Sequence, residues 1–173
     1  YKKNDSKIHF FSNSLINLGL SAFDTSELEI NLQKTSNDTY LKAYQLKSPL
    51  IKNDSTLNSF VGFEAYRDDL SLNSSIQVFE KLNEEKNDRY EFILPSFEVI
   101  KNIDTTNKLG GNLSFKTTGH QKQYNTNLYE ASVVNDLIFN SDPIFNKNGF
   151  KNNYNVLLRN PNSATESSTD NNE

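Results

Sequence analysis

Glu27-Leu28-Glu29-Ile30-Asn31-Leu32-Gln33 alternates polar and apolar residues without a break. A period of two belongs to a β-strand, whose successive side chains point to opposite faces. Leu28, Ile30 and Leu32 therefore share one face, and Glu27, Glu29, Asn31 and Gln33 share the other. The pattern recurs where Leu57, Ser59, Val61, Phe63 and Ala65 oppose Asn58, Gly62 and Glu64. It recurs again where Leu70, Leu72, Ser74, Ile76 and Val78 oppose Ser71, Asn73, Ser75 and Gln77. Shorter runs place Tyr90, Phe92 and Leu94 together, and Leu113, Phe115 and Thr117 together. Near the end, Phe150, Tyr154, Val156 and Leu158 alternate with Lys151, Asn153, Asn155 and Arg159. Weaker segments lie near 7–18, 39–47, 97–103 and 123–139. No segment holds helical spacing over three turns, so an all-β chain of about ten strands is predicted.

Turn-forming clusters separate these runs: Phe23 to Ser26, Ser36 to Asp38, Lys52 to Ser55, Arg67 to Asp69, Asn83 to Asp88, Asp104 to Lys108 and Asn146 to Gly149. Parallel pairing needs crossover helices, for which there is no room, so an antiparallel up-and-down meander is expected. Residues 1–160 read as the strand-bearing part. Residues 161–173 are polar and aperiodic, and read as a loop or disordered tail. The absence of Met, with Tyr1 at the front, reads as a processed chain or an excised segment.

Composition narrows the class. Hydrophobic residues make up 35%, and Asn, Ser and Thr together number 56 of 173, which disfavours a helical bundle and a thick two-sided core. Phe and Tyr total 20, too many for a disordered chain. The net charge of −4 argues against a nucleic-acid partner. Runs of about 9–12 residues exceed the usual globular strand and match a tilted strand crossing a bilayer. In such a barrel one strand face meets lipid and the other water, so low overall hydrophobicity coexists with long alternating strands. The lumen-facing candidates are then Glu27, Glu29, Asn31, Gln33, Asn58, Asn73, Ser75, Gln77, Asn153 and Asn155, with Lys42 in the same class. Tyr40, Tyr44, Tyr66, Phe79, Tyr90 and Tyr129 fall where interfacial girdles belong. The pattern alone leaves a soluble β-sandwich or solenoid, with one solvated face, equally open.

No catalytic, metal or cofactor site is expected. His9 and His120 stand apart, with no zinc-type spacing around either. There is no nucleophile elbow, phosphate-binding loop or dinucleotide fingerprint, no EF-hand spacing, and no Cys. Gly110-Gly111 reads as a turn that needs backbone freedom. Asp68-Asp69 and Glu84 to Arg89 read as solvated hairpin tips. The N-x-S/T triplets at Asn37, Asn73 and Asn112 are expected by chance in so Asn-rich a chain.

One stretch carries a resemblance. Asn87-Asp88-Arg89-Tyr90-Glu91-Phe92-Ile93-Leu94-Pro95-Ser96-Phe97 resembles the segment of the lipopolysaccharide-assembly protein LptD family in which an acidic turn leads into R-Y-x-[YF]-x-L-P, with Arg89, Tyr90, Leu94 and Pro95 at the motif positions. Ile76 to Leu82 upstream and Gly111-Asn112-Leu113-Ser114-Phe115 downstream are similar to neighbouring strands of that family. So are Asn135-Asp136-Leu137, Lys147 to Phe150 and Tyr154 to Asn160. The resemblance spans most of residues 7–160. It implies an internal part of a large outer-membrane β-barrel that delivers lipopolysaccharide to the cell surface. It further implies an LptE-like lipoprotein plug, a periplasmic LptA-like bridge and outer-membrane lipid as partners, with no enzymatic step. The jellyroll and the closing seam of such a barrel would lie outside this segment. Another outer-membrane barrel (a porin or a receptor), or a soluble secreted β-rich binding module, are the alternatives.

Overall fold

The runs at 27–33, 57–65 and 70–78 each become one strand of a single antiparallel sheet. The structure, a computed structural model, describes residues 7–45, 49–51, 53–84, 89–105, 110–124 and 128–167. Strands β1 (His9–Asn17), β2 (Thr25–Thr35), β3 (Thr56–Arg67), β4 (Leu70–Lys81), β5 (Tyr90–Asp104), β6 (Gly111–Tyr124) and β7 (Leu128–Ser141) pair in chain order. β8 (Ile144–Phe145) and β9 (Lys151–Asn152) form a small ribbon, and β10 (Asn155–Ser167) returns to pair with β7. Eight strands thus form an open meander with β1 and β10 at its edges. A helix of five residues, α1 (Tyr40–Tyr44), lies between β2 and β3.

Four departures from the sequence expectations have local causes. The 39–47 segment is not a strand. Asn37 Oδ1 accepts hydrogen bonds from the backbone N–H of Thr39 at 3.0 Å and from its hydroxyl at 2.8 Å, which turns the chain into α1 and buries Leu41. Lys42 therefore sits on a helix and not on a strand face. Residues 46–47 lie outside the described residues.

The runs at 90–94 and 97–103 fuse into the single strand β5. Its register slips between Ile93 and Ser96, around the cis Leu94–Pro95 bond, and the slip swaps which parity faces each side. That swap is why the sequence period appears broken there.

The expected strand across 150–159 divides in two. Asn146 Oδ1 accepts from the N–H groups of Asn148 and Phe150, both at 3.0 Å, and Gly149 adopts φ +82°, which fixes a turn ahead of β9. Asn153 falls between β9 and β10, so it is not on a strand face.

The segment from Pro161 to Ser167 is not a tail but the second half of β10, paired in register from Pro161↔Val134 to Ser167↔Leu128. The N–H of Ser141 bonds to the carbonyl of Tyr154, so even-numbered residues of β10 face β7 and the nitrogen of Pro161 points to the open edge. Proline costs no ladder bond there. Residues 168–173 lie outside the described residues, as do 52, 85–88 and 106–108 of the expected turns.

Few side chains are buried: Leu41, Leu57, Ala65 and Leu82 are the buried apolar residues among those described. A self-contained protein of this mass exposes about 8,600 Å². This chain exposes 12655 Å², as a single open layer of strands does.

Candidate functional site

Register carries the alternation across the whole sheet. One face holds Asn13 of β1, then Glu27, Glu29, Asn31 and Gln33 of β2, Asn58 and Glu64 of β3, and Asn73, Ser75 and Gln77 of β4. It continues through Glu91, Ser96 and Glu98 of β5, Lys116, His120 and Lys122 of β6, and Glu130 and Asp136 of β7, to Asn155 and Arg159 of β10. Every lumen candidate except Asn153 and the helical Lys42 lies on this face.

Cross-strand bonds knit the face together. Asn13 Nδ2 donates to Glu29 Oε1 at 2.7 Å, Asn73 Nδ2 to Glu64 Oε1 at 3.2 Å, and Gln77 Nε2 to Ser75 Oγ at 2.8 Å. The Ser75 and Ser96 hydroxyls meet at 2.8 Å, and Asn31 Nδ2 donates to the carbonyl of Asn58 at 2.8 Å. The bases of β6 and β10 meet carboxylates from neighbouring strands. Lys116 faces Glu98 at 2.5 Å, Lys122 faces Glu91 at 2.9 Å, and Arg159 faces Asp136 at 2.8 Å. A groove of about 360 Å³ runs along this face over Glu27, Glu29, Asn58, Phe60, Glu64 and Gln77.

The opposite face is apolar along its middle: Leu28, Ile30 and Leu32 on β2, Val61 and Phe63 on β3, Leu72, Ile76 and Val78 on β4, Phe97 and Val99 on β5, Phe115 on β6, Leu137 on β7 and Leu158 on β10. It is open, with Ile76 51% and Leu158 62% exposed. No second layer of described residues covers it, and substantial contacts between elements join only neighbours. Gly119 leaves space on this face for the Phe97 ring, two of whose atoms would lie 2.6 Å from an added Cβ.

Charge on the apolar face stands only toward the strand ends: Lys34 and Glu80 at one end, Arg67 and Lys101 at the other, and Glu166 near the end of β10. Glu80 is paired with Leu57, ten residues before Arg67 on β3. At about 3.4 Å per residue and a tilt of about 40°, that separation spans about 26 Å of height, close to the apolar band of a membrane barrel. Aromatics divide between the faces. Tyr90 and Tyr129 stand on the apolar side near one end, Tyr66 and Phe79 lie on the polar side, and Tyr40 and Tyr44 belong to α1. The last four depart from the expected lipid-side girdle.

Both ends of the uncharged band carry ion clusters. At one end, Arg89 reaches Asp38 at 2.6 and 3.0 Å and Glu80 at 2.6 and 2.9 Å. Lys34 meets Glu80 at 2.9 Å, and the Tyr90 hydroxyl donates to it at 3.1 Å. The Glu80 side chain is only 7% exposed. The hydrogen bonds from Arg89 hold the Asp38 carboxyl below its usual range, and the two carboxylates hold the guanidinium above its own. At the other end, Lys101 and Arg67 both bond to Asp69 in the β3–β4 turn and keep its carboxyl ionised to lower pH than usual.

Arg89 and Tyr90 thus anchor a cluster, and Leu94 and Pro95 form the bulge. Arg89 is not part of a solvated tip. Sequence reading missed Lys34, Asp38 and Glu80, although Lys34 and Glu80 fall on the apolar parity of their strands, a signal that was available. Among the described residues no group of His, Asp or Glu is arranged to hold a metal, and no helix is long and apolar enough to cross a membrane. No protein-family model matches the chain, and neither a curated protein nor a solved structure is significantly similar to it.

Proposed function

We propose that this chain is a wall segment of a large outer-membrane β-barrel, with its apolar face toward lipid and its polar face toward an aqueous lumen. The observation that carries the reading is the clearing of charge from the middle of one face across eight strands, with ion clusters bounding a band of about 26 Å. A sheet face bathed in water has no reason to exclude charge from its centre, and a sandwich needs a second layer to cover it.

The motif order from Ile76 through Arg89 and Pro95 to Asn160 resembles LptD. On this reading the cargo is lipopolysaccharide, the role is transport without catalysis, and an LptE-like plug and an LptA-like bridge are the partners. The polar face suits an anionic glycolipid in transit. Asn, Gln and Ser side chains offer weak, exchangeable hydrogen bonds. Lys116, Lys122 and Arg159 already face carboxylates, so they hold a passing phosphate less firmly than unpaired cations would.

The test is an immunoblot of the source cells' outer-membrane fraction with an antibody to this segment, boiled and unboiled. A membrane band well above 19.8 kDa that shifts on boiling is expected, and depletion should lower surface lipopolysaccharide. A soluble band without a heat shift refutes the barrel. A heat-shifting band whose depletion leaves surface lipopolysaccharide intact refutes the transport role alone.

A further inference from the structure

We propose that the β8–β9 ribbon is a membrane anchor that dips into an anionic headgroup layer beside the barrel, with both of its faces in lipid. The inference rests on the barrel reading. The ribbon follows β7 at the end of the sheet where Arg67 and Lys101 stand. Ile144 is paired with Asn152, two residues from Phe150, so Ile144 and Phe150 share one face. Phe145, paired with Lys151, lies on the other. All three apolar side chains are more than half exposed, as is Tyr154 at the base. A protein partner covers one face of such a hairpin, whereas a lipid layer surrounds both. Apolar exposure on both faces therefore points to lipid, and aromatics are at home at headgroup level.

The charge of the ribbon agrees. Its only charged residues are Lys147 at the tip and Lys151, and no Asp or Glu occurs from Pro143 to Thr165, in a chain whose net charge is −4. Two cations among exposed apolar side chains complement an anionic lipid surface. The ribbon is also held firmly at both ends. The Asn146 N–H donates to the carbonyl of Phe150 at 3.0 Å and the Gly149 N–H to that of Asn146 at 3.1 Å, which closes the tip. At the base the Tyr154 N–H donates to Ser141 Oγ at 2.7 Å, and the Asp142 N–H to the carbonyl of Gly110 at 2.8 Å. The bond from the Ser141 N–H to the Tyr154 carbonyl extends the β7–β10 ladder by one pair, at the parity of Val156 and Leu158 on the apolar face. The ribbon thus starts from the side of the sheet assigned to lipid.

The experiment uses the full-length protein refolded into phosphatidylcholine vesicles with or without phosphatidylglycerol, the phosphatidylcholine carrying bromine on its upper acyl carbons as a quencher. Phe145→Trp and Phe150→Trp report the two faces, each as the difference from wild type, with the heat shift as the folding control. Both tryptophans are expected to be quenched by the brominated lipid in the anionic vesicles. Lys147→Gln with Lys151→Gln, placed in the Phe150→Trp background, should lower the embedded-to-free ratio about fivefold for each charge removed, and only where phosphatidylglycerol is present. Heat-shifting variants quenched by aqueous acrylamide and not by bromine, or by bromine at one face alone, overturn the anchor and leave the barrel standing. Quenching that the lysine substitutions leave unchanged overturns the anionic headgroup assignment. A wild-type protein that forms no heat-shifting membrane species overturns the barrel reading, and the anchor with it. If Phe150→Trp fails to fold, Ile144→Trp reports the same face.

Discussion

On the barrel reading, Ile76→Arg and its neighbour Gln77→Arg should differ sharply, because adjacent residues of β4 face opposite sides of the sheet. Ile76 is directly opposite Val61, one residue from the midpoint between the Leu57–Glu80 pair and Arg67. An arginine at the midplane of a barrel's lipid face costs about 2–4 kcal/mol. Gln77 lies beside Ser75 and opposite Phe60 on the polar face, where an arginine should cost no more than about 0.5 kcal/mol. The difference of about 3 kcal/mol is roughly a hundredfold in the folded-to-unfolded ratio. The assay is urea titration of the full-length protein refolding into vesicles, scored by the fraction of heat-shifting band. If the apolar face were bathed in water, Ile76 at 51% exposure would accept arginine with almost no cost. Equal stability of the two variants would therefore refute the lipid-facing assignment.

Three further outcomes follow from the same geometry. Arg89→Ala removes two of the bonds holding buried Glu80 and leaves it Lys34 and Tyr90, so it should cost about 2 kcal/mol in the same titration. Gly111→Ala sets a Cβ 2.8 Å from the Ser141 Cα and 2.9 Å from the Phe139 ring; since backbone cannot step aside cheaply, a loss of about 1–3 kcal/mol is expected, measured as a lower urea midpoint. Because Arg89 lowers the pKa of Asp38, the stability contributed by the Asp38–Arg89 pair is complete above the ordinary aspartate range and lost as pH falls through the depressed value. The urea midpoint should therefore hold from neutral pH down through the ordinary aspartate range and fall only below it, whereas Asp38→Asn should lower the midpoint already at neutral pH and flatten that fall.

The fold was legible wherever alternation was uninterrupted. The runs at Glu27 to Gln33, Leu57 to Ala65 and Leu70 to Val78 became β2, β3 and β4 with the assigned faces. Failures came where a local device overrode periodicity. A side-chain turn at Asn37 made a helix of an apparent strand, and the slip around Leu94–Pro95 hid the continuity of β5. Pro161 to Ser167 carries almost no apolar residue, so composition pointed to a tail. What makes it a strand is the long edge of β7, which supplies backbone partners whatever the side chains are. The site divided the same way. The polar face follows from strand parity alone, whereas the Arg89 cluster joins residues as far apart as 38 and 89 and depends on how the β2–β3 connection returns.

On the barrel reading, the two edges of the sheet, β1 and β10, bear on what completes the wall. Backbone bonds at Leu18–Ser26 and Ile8–Ser36 place the even-numbered residues of β1 toward β2, so His9, Phe11, Asn13, Leu15 and Asn17 present donors and acceptors outward in an unbroken row. The outer row of β10 has the same spacing except at Pro161, where the donor is missing. In lipid every such group requires a partner, so an open eight-stranded sheet is untenable there and both edges require neighbouring strands. Pairing along β1 is complete in principle, whereas pairing along β10 lacks one bond near its centre. The two junctions are therefore chemically unequal before any partner arrives, and on the barrel reading the β10 junction is the weaker of the two.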